Sequence, residues 1–339
     1  MIKLLEAAAT RHWDDFVARH EDATFFHLSG WQDVIERAFG HKTYFYYVEK
    51  EGRITGLLPL VHVNSLLFGN ALCSLSFCVY GGIVADDDAS RQMLDNQACQ
   101  LAQTLGVDYL EMRNCVQQTP ERPHKALYVT FRKELDADLE KNMQAIPRKQ
   151  RAMIRKGIKA GLVSRIDNDV ERLYQAYSES VRNLGTPVFA KKYFRILQEV
   201  FKEQCEILTI EQEGQLIGSV MSFYFKDNVL PYYGGGTERA RAVQGNDFMY
   251  WEVMRRAVEK GIKVFDYGRS KVGTGSYRFK KHWGFEPEPL FYEFHLVKAQ
   301  TLPDINPLNP KYQLFIAAWK RLPLALSQRL GPWLAKDLG

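Results

Sequence analysis

The sequence predicts an α+β protein with two similar lobes. Three observations support this: the length of the chain, an internal repeat, and the order of strands and helices within that repeat. At 339 residues the chain exceeds a usual single domain, and roughly 150 residues per domain suggests about two. Hydrophobic residues at 46% and charged residues at 25% are ordinary for a globular protein. The composition therefore supports a packed core in each lobe.

Three short motifs occur twice, in the same order along the chain. The pairs are EGRITG at 51–56 with EGQLIG at 213–218, YGG at 80–82 with 233–235, and GVDYLE at 106–111 with GIKVFD at 261–266. The first motif lies between apolar, β-rich runs and predicts the turn of a β-hairpin. The third predicts a strand that ends in an acid. Three matches in one order predict a duplicated lobe.

Each lobe also carries a predicted helix ahead of its last strand. In the first half, residues 89–105 form this helix and Gly106 stops it. In the second half, Asn246 or Asp247 caps the helix and Gly261 ends it. Its apolar residues recur at helical spacing: Phe248, Trp251, Met254 and Val258.

Several classes of protein and site are disfavoured. No apolar run reaches the roughly 20 residues of a bilayer span, and the N-terminus lacks the apolar core of a signal peptide, so we expect a cytoplasmic protein. The five cysteines include no Cys-x-x-Cys pair, so neither a disulfide framework nor a zinc site is indicated. The eight histidines suggest no metal-ligand set.

The segment 141–165 is strongly basic and contains no acid. Its eight cations exceed the net charge of +5 of the whole chain: Lys141, Arg148, Lys149, Arg151, Arg155, Lys156, Lys159 and Arg165. Pro147 suits the first turn of a helix that places several of these cations on one face. Such a face can bind tRNA or a phosphorylated carrier through phosphate contacts. The alternative is a solvated connecting helix.

The last segment, 301–339, begins as a stiff linker rich in Pro and Asn and continues as an amphipathic tail. Tyr312, Phe315, Ile316 and Trp319 lie at helical spacing, with Lys320 beside them. Residues 311–334 therefore suit peripheral contact with a membrane surface. Packing of the same stripe onto its own lobe is the alternative.

Longer motifs extend along nearly the whole chain. They are PRKQR at 147–151, RNLGTP at 182–187, PYYGGG at 231–236, NDFMYW at 246–251, FDYGRSK at 265–271 with GTG at 273–275, FKKHWGF at 279–285 and NPLNPKY at 306–312. On these motifs the sequence resembles the FemAB family. The likeness is strongest to the FemAB-like proteins that accompany exosortase and PEP-CTERM systems in exopolysaccharide-producing bacteria.

The resemblance implies two tandem GNAT-like lobes, each with a mixed central sheet flanked by helices. The first lobe is expected at 1–140, the basic connecting helix at 141–165 and the second lobe, with the active site, at 166–300. It also implies an acyltransferase that forms an amide on an amine. The expected acceptor is a cell-envelope or exopolysaccharide precursor, as in the peptidoglycan-bridge enzymes of the family.

The same resemblance implies the leading catalytic residues. In bridge-forming enzymes a Phe-Lys pair on a late strand of the second lobe stabilises the transition state, and Phe279 and Lys280 match that pair. Aminolysis passes through an oxyanion, and one positioned donor contributes on the order of 3 kcal/mol. A surface lysine on a strand edge is the alternative for Lys280. Asp266 is a candidate general base, or else a salt-bridge partner of Arg269.

Other residues are candidates for substrate binding. Tyr232 and Tyr233 suit proton relay or substrate packing. Arg269, Ser270 and Lys271 lead into a glycine-containing loop that suits an anion or is a simple turn. In the first lobe, Glu111 and Arg113 are candidate contacts for the acceptor.

The acyl donor stays open between aminoacyl-tRNA and acyl-CoA, and no permanently bound cofactor is expected. The chain lacks the heptad-like insertion that forms the tRNA arm of the bridge enzymes. The loop 241–247 keeps a basic residue and one glycine of the pyrophosphate loop of acyl-CoA enzymes, but places Asp247 where an anion is expected. An acyl-CoA-dependent N-acyltransferase is one alternative function. A non-catalytic protein that binds nucleic acid or a polysaccharide precursor is the other.

Overall fold

The computed structural model describes residues 1–65, 68–303 and 310–338, and the chain forms two compact units. The first unit comprises residues 1–128, 289–304 and 336–339, and the second comprises 129–288 and 305–335. The basic segment expected as a connection between lobes lies inside the second unit. The first unit ends at residue 128, before the expected residue 140, and it also includes residues that follow residue 288.

Both units are built on β-sheets. The strands are β1 (Ile2–Leu4), β2 (Lys42–Lys50), β3 (Arg53–Ser65), β4 (Gly69–Ser74), β5 (Val84–Ala85), β6 (Tyr109–Asn114), β7 (His124–Lys125), β8 (Tyr128–Glu134), β9 (Val163–Asp167), β10 (Cys205–Gln212), β11 (Gln215–Phe225), β12 (Asn228–Gly236), β13 (Val264–Asp266), β14 (Ser270–Lys271), β15 (Pro287–Pro289) and β16 (Phe291–Leu296).

Helices flank the sheets. They are α1 (Thr10–Arg19), α2 (Gly30–Phe39), α3 (Asp88–Leu105), α4 (Leu139–Ala145), α5 (Arg148–Lys159), α6 (Glu171–Leu184), α7 (Lys191–Phe201), α8 (Gly245–Glu259), α9 (Gly275–His282), α10 (Pro310–Trp319) and α11 (Leu324–Ala335).

The two sheets have the same strand arrangement. The first has the order β1-β2-β3-β4-β6-β16-β7, with β5 beside β3, and the second has β9-β10-β11-β12-β13-β8-β14, with β15 beside β8. A parallel pair lies at the centre of each sheet, β4 with β6 and β12 with β13, next to antiparallel neighbours. The predicted α+β fold with two mixed-sheet lobes is confirmed.

The hairpins repeat in detail. Both turns place two residues at positive φ, as a type I′ turn requires: Glu51 and Gly52 in the first, and Glu213 and Gly214 in the second. Both hairpins also carry a register shift just before the turn, after Val48 and after Ile210. The internal repeat therefore marks one structural unit that occurs twice.

One strand in each sheet comes from the other half of the chain. β8 follows the first half in sequence, yet it pairs with β13, where Arg132 lies opposite Asp266. β16 follows the second half, yet it pairs with β6, where Phe294 lies opposite Glu111. This exchange explains why the unit boundaries differ from the expected 140 and 166.

The helices ahead of the parallel strands follow the sequence pattern except at one end. Gly106 and Gly261 both take positive φ where α3 and α8 end, as expected. The predicted cap of α8 at Asn246 or Asp247 is wrong, because α8 begins at Gly245. A Cβ on Gly245 would lie 2.4 Å from Ile217 Cγ2, so close packing onto the sheet requires a glycine here.

The C-terminal segment forms α10 and α11, which pack beside α6 in the second unit. Arg182 of α6 donates a hydrogen bond to the carbonyl of Leu322, at 3.1 Å. The predicted Pro/Asn linker falls largely on 304–309, outside the described residues. Within the described ranges, no helix is long and apolar enough to cross a membrane.

Candidate active site

The leading catalytic candidate lies on a helix. Phe279 and Lys280 belong to α9, so their expected placement on a late strand is wrong. Thr274 starts this helix, because its side-chain oxygen accepts a hydrogen bond from the backbone N–H of Tyr277. Lys280 is 8% exposed, whereas the next residue, Lys281, is exposed to solvent. The alternative of a surface lysine therefore does not hold.

The Lys280 ammonium is held by backbone and aromatic groups. Its Nζ donates hydrogen bonds to the carbonyls of Gly268 at 2.9 Å and Arg269 at 3.1 Å. The same atom lies 5.6 Å from the ring centroid of Phe131 and 5.8 Å from that of Tyr267. Both carbonyls and both rings favour a cation at this point.

Burial lowers the pKa of Lys280 to about 7, although the nearby charge of Asp266 opposes the shift and Arg269 adds to it. An ordinary lysine is fully charged at neutral pH. Lys280 is instead poised to give up and regain a proton at neutral pH. This is the property expected of a group that transfers protons during catalysis.

Asp266 is the second charged group of this site. It ends β13, as predicted, and is 4% exposed. Its Oδ1 accepts a hydrogen bond from the backbone N–H of Gly268 at 2.7 Å and one from Thr130 Oγ1 at 3.4 Å. Gly268 takes φ +65°, a conformation in which glycine avoids a steric penalty. Gly268 therefore connects Asp266, through its N–H, to Lys280, through its carbonyl.

Two buried hydroxyls near this site have no hydrogen-bond partner among the residues that the structure describes. They are Ser270 Oγ and Tyr267 Oη. Tyr267 is enclosed by aromatic rings, with ring centroids at 4.8 Å from those of both Phe265 and Phe285. Buried polar groups are nearly always bonded, so unpartnered ones suggest a site that a ligand completes.

The two tyrosines of β12 have different surroundings. Tyr233 is buried, and its hydroxyl lies 2.7 Å from that of Tyr193 in an aromatic cluster. Tyr232 is the extra residue of a β-bulge, because Met221 pairs with Tyr233 while Ser222 pairs with Pro231. Bulges often re-aim side chains beside active sites. Tyr232 is therefore better placed than Tyr233 for contact with substrate.

Asp247, which was expected to disfavour anion binding by the segment 241–247, lies in the first turn of α8. Asp247 does not occupy an anion position, because its Oδ1 accepts hydrogen bonds from Gln150 Nε2 and Trp283 Nε1, each at 3.0 Å. Burial raises the pKa of this carboxyl, although both hydrogen bonds oppose the shift. The objection to an acyl-CoA donor that rested on Asp247 therefore falls away.

Glu111 and Arg113, the candidate acceptor contacts in the first unit, form an ion pair with each other. Arg113 is 2% exposed, and its Nε donates to Glu111 Oε1 at 2.8 Å. Its Nη1 donates to the carbonyl of Cys78 at 2.7 Å. Burial opposes the charge of Arg113, but Glu111 together with Tyr292 and Cys73 outweighs this effect and the pKa is raised. The guanidinium thus bonds within its own unit.

The basic helix α5 presents its cations around a groove of about 400 Å³. The groove is lined by Arg148, Arg151, Ala152, Arg155, Lys156 and Lys159. The opposite side of α5 packs on α8, and Gly157 allows Phe248 to come close. A Cβ on this glycine would lie 2.9 Å from Phe248 Cβ. The α5 cations form no ion pair with any residue in the described part of the chain, and Arg148 and Lys149 stand unfavourably at a helix N-terminus. The fold tolerates these charges without neutralising them.

Sequence analysis missed the part played by Gly268 and the buried hydroxyl of Tyr267, although it did select Ser270. The signal for Gly268 was present in residues 265–271, where a glycine two residues after an Asp favours a turn closed by the Asp side chain. The partners of Lys280 could be identified only once residues 275–282 were known to form a helix. The expected strand did not allow this. Among the described residues, no group of three or more His, Cys, Asp or Glu side chains is arranged to hold a metal ion.

Comparison with known proteins agrees with this architecture. Residues 143–281 match the profile of the acetyltransferase (GNAT) domain. The crystal structure of FemX superposes with a TM-score of 0.68 at 13% identity, covering 93% of this chain and 100% of that chain. The chain therefore has a FemAB-like tandem GNAT fold.

Two further structures share the fold at similarly low sequence identity. A tandem GNAT protein from the clavulanic acid biosynthesis pathway gives a TM-score of 0.56 at 12% identity, covering 89% of this chain and 99% of that one. L-PGS from Bacillus licheniformis gives 0.52 at 12% identity, covering 86% and 95%. No curated protein sequence matches the chain.

Proposed function

We propose that this protein is an acyltransferase that joins an aminoacyl or acyl group to an amine of a cell-envelope or exopolysaccharide precursor. The observation that carries the proposal is Lys280, a buried amine with a pKa lowered to about 7 and bonded to the carbonyls of Gly268 and Arg269. The FemAB resemblance supports the acceptor class and assigns the catalytic role to Phe279 and Lys280. The association with exosortase and PEP-CTERM systems stays a prediction.

The proposed reaction follows from the properties of Lys280. The neutral acceptor amine attacks the acyl carbonyl, a C–N bond forms, and the carbonyl oxygen becomes an oxyanion that the Lys280 ammonium stabilises. The intermediate then expels the ribose oxygen of a tRNA ester or the sulfur of a CoA thioester. Lys280 gives this leaving group a proton, and the proton lost by the attacking amine restores the ammonium.

Asp266 supports Lys280 in this scheme rather than contacting the acceptor. Its carboxylate raises the pKa of Lys280 and bonds the N–H of Gly268, whose carbonyl orients the ammonium. Asp266 is therefore proposed as a positioning residue, in place of the general base expected from sequence. The unpartnered hydroxyls of Tyr267 and Ser270 are proposed to bond the substrate.

Acyl-CoA is retained as a second donor because of two specific observations. The match to the acetyltransferase (GNAT) domain covers residues 241–247, and Asp247, in the first turn of α8, points inward. The names of L-PGS and of a second similar protein, a putative lysylphosphatidylglycerol synthetase from Agrobacterium fabrum, instead support aminoacyl transfer. The structure of the C-terminal domain of the Agrobacterium protein has a TM-score of 0.56 at 14% identity and covers 87% of this chain and 92% of that chain.

The test compares two adjacent lysines. Purified wild type, Lys280→Ala and Lys281→Ala are incubated with aminoacyl-tRNA or acyl-CoA and an amine-bearing envelope precursor, and amide products are measured by mass spectrometry. Wild type and Lys281→Ala should form product, and Lys280→Ala should lose about 100-fold in turnover. Equal turnover of all three proteins would refute the role of Lys280. Absence of product with either donor would refute the transferase.

A further inference from the structure

The helices α10 and α11 expose an unusual number of large apolar side chains. Thirteen such side chains are exposed in the described residues, and five of them lie on these two helices: Leu314, Phe315, Leu326, Leu330 and Trp333. Leu314 is 83% exposed and Trp333 is 63% exposed. We call these five side chains the outer face. Single exposed apolar residues are common, but a concentration of this kind marks an interaction surface.

Part of the outer face lies on α11, whose other side is packed. On α11, Leu326, Leu330 and Trp333 are spaced to share one side, whereas Ser327, Gly331 and Ala335 are buried on another.

The buried side of α11 is fitted closely to the rest of the second unit. A Cβ on Gly331 would lie 2.9 Å from the backbone of Val188, and Gln328 Nε2 donates to Ser178 Oγ at 2.8 Å. The exposed side chains of α11 therefore belong to a helix that is already docked through its opposite side.

The charged residues within the segment 310–336 all have one sign. Residues 310–336 contain five Lys or Arg residues and no Asp or Glu. Lys320, Arg321 and Arg329 are exposed, and they form no ion pair with any residue that the structure describes. An anionic partner would meet these cations without competition from acids of the same segment.

We propose that the outer face docks on the surface of an anionic phospholipid bilayer, with α10 and α11 lying in the interface. Leucine and phenylalanine side chains bury in the acyl boundary, tryptophan prefers the headgroup level, and lysine and arginine attract anionic headgroups. A second copy of the chain fits less well, because a two-fold contact would place the cations of one copy against those of the other. This surface goes beyond the proposed transferase function and does not depend on it.

The test uses sedimentation with vesicles of phosphatidylcholine alone or mixed with phosphatidylglycerol. Wild type should bind the mixed vesicles and release at high salt. Leu330→Gln combined with Trp333→Gln should weaken this binding by about tenfold or more, and Arg329→Gln by about fivefold. The matched control is Val116→Gln, an exposed apolar side chain of the first unit that is 65% exposed, and it should bind like wild type.

Three results would overturn the proposal. One is absence of vesicle binding by the wild type. Another is unchanged binding of the Leu330 and Trp333 double variant when its circular dichroism and thermal unfolding match the wild type. The third is a dimer, measured by light scattering, that the double variant no longer forms, since a second copy would then cover the outer face.

Discussion

Asp266 and Lys280 bond opposite ends of the same residue, Gly268. The carboxylate accepts the N–H of Gly268 at 2.7 Å, and the ammonium donates to its carbonyl at 2.9 Å. The two charges are thereby coupled through the backbone, and the carboxylate favours the charged form of the amine. This arrangement supplies the first three predictions.

The first prediction concerns the pH dependence of stability. Burial lowers the pKa of Lys280 from 10.5 in the unfolded chain to about 7 in the folded protein. Between these values the unfolded chain holds one more proton than the folded protein, so the contribution of this group to stability rises as pH rises from about 7 toward 10.5. Below about 7 both states are charged and the contribution is constant. Lys280→Met should remove the rise, as measured by urea unfolding from pH 6 to 10. Parallel curves for wild type and variant would contradict the prediction.

The second prediction concerns Asp266→Asn. The amide still accepts the N–H of Gly268, but it no longer favours the charged form of Lys280. Turnover should therefore fall, and its decline with rising pH should begin at lower pH than in the wild type. Rate profiles at saturating acceptor measure this shift. Asp227→Asn, at an exposed turn, is the control and should leave the profile unchanged. An Asp266→Asn profile of reduced height and unmoved shape would indicate only a structural role.

The third prediction compares two glycines at positive φ. Gly268→Ala and Gly273→Ala, at φ +65° and +81°, should each reduce the free energy of unfolding by about 1–2 kcal/mol. Only Gly268 bonds Asp266 and Lys280, so only its substitution should displace the ammonium and reduce turnover, by up to about 100-fold. Equal turnover losses in the two variants would mean that the effect is general strain.

These features show what sequence analysis predicted and where it stopped. Duplication of the lobe was predictable because local signals set it: the paired turn glycines and the stop glycines at 106 and 261 are read within a few residues. The exchange of β8 and β16 was not predictable, because pairing between strands far apart in sequence leaves no local pattern. The expected lobe boundaries differ from the compact units for this reason.

The candidate site was predicted in its composition but not in its geometry. Asp266 and Lys280 were both selected, and the strand end at Asp266 was correct. The strand placement of Phe279 and Lys280 failed because it was taken from the resemblance to bridge-forming enzymes, whereas the local Thr274 cap favours a helix. Asp247 was misjudged because its partners, Gln150 and Trp283, come from distant segments.

The fourth prediction concerns Arg113 in the first unit. Its guanidinium is buried against Glu111, so Arg113→Ala leaves a carboxylate that is only 12% exposed without its partner and should reduce the free energy of unfolding by about 3 kcal/mol. Arg19→Ala removes an ion pair whose arginine is 53% exposed and should cost about 1 kcal/mol or less. Urea unfolding measures both. A higher KM for the acceptor at unchanged stability would instead support contact between Arg113 and the acceptor.

The fifth prediction concerns the basic face of α5. If this face binds the phosphates of a tRNA donor, Arg151→Gln, Arg155→Gln and Lys159→Gln combined should weaken RNA binding. The slope of log affinity against log salt should also fall by about 1 for each phosphate that is no longer neutralised. Fluorescence anisotropy with labelled tRNA at several salt concentrations measures both quantities.

The control for α5 is a set of exposed lysines elsewhere in the second unit. Lys192→Gln, Lys202→Gln and Lys281→Gln combined remove the same charge without touching the groove, and should change affinity and slope much less. Equal losses in the two triple variants would mean that net charge, rather than the α5 face, governs binding. If the α5 variant still transferred the group from aminoacyl-tRNA at the wild-type rate, RNA binding at this face would not be required for catalysis at Lys280.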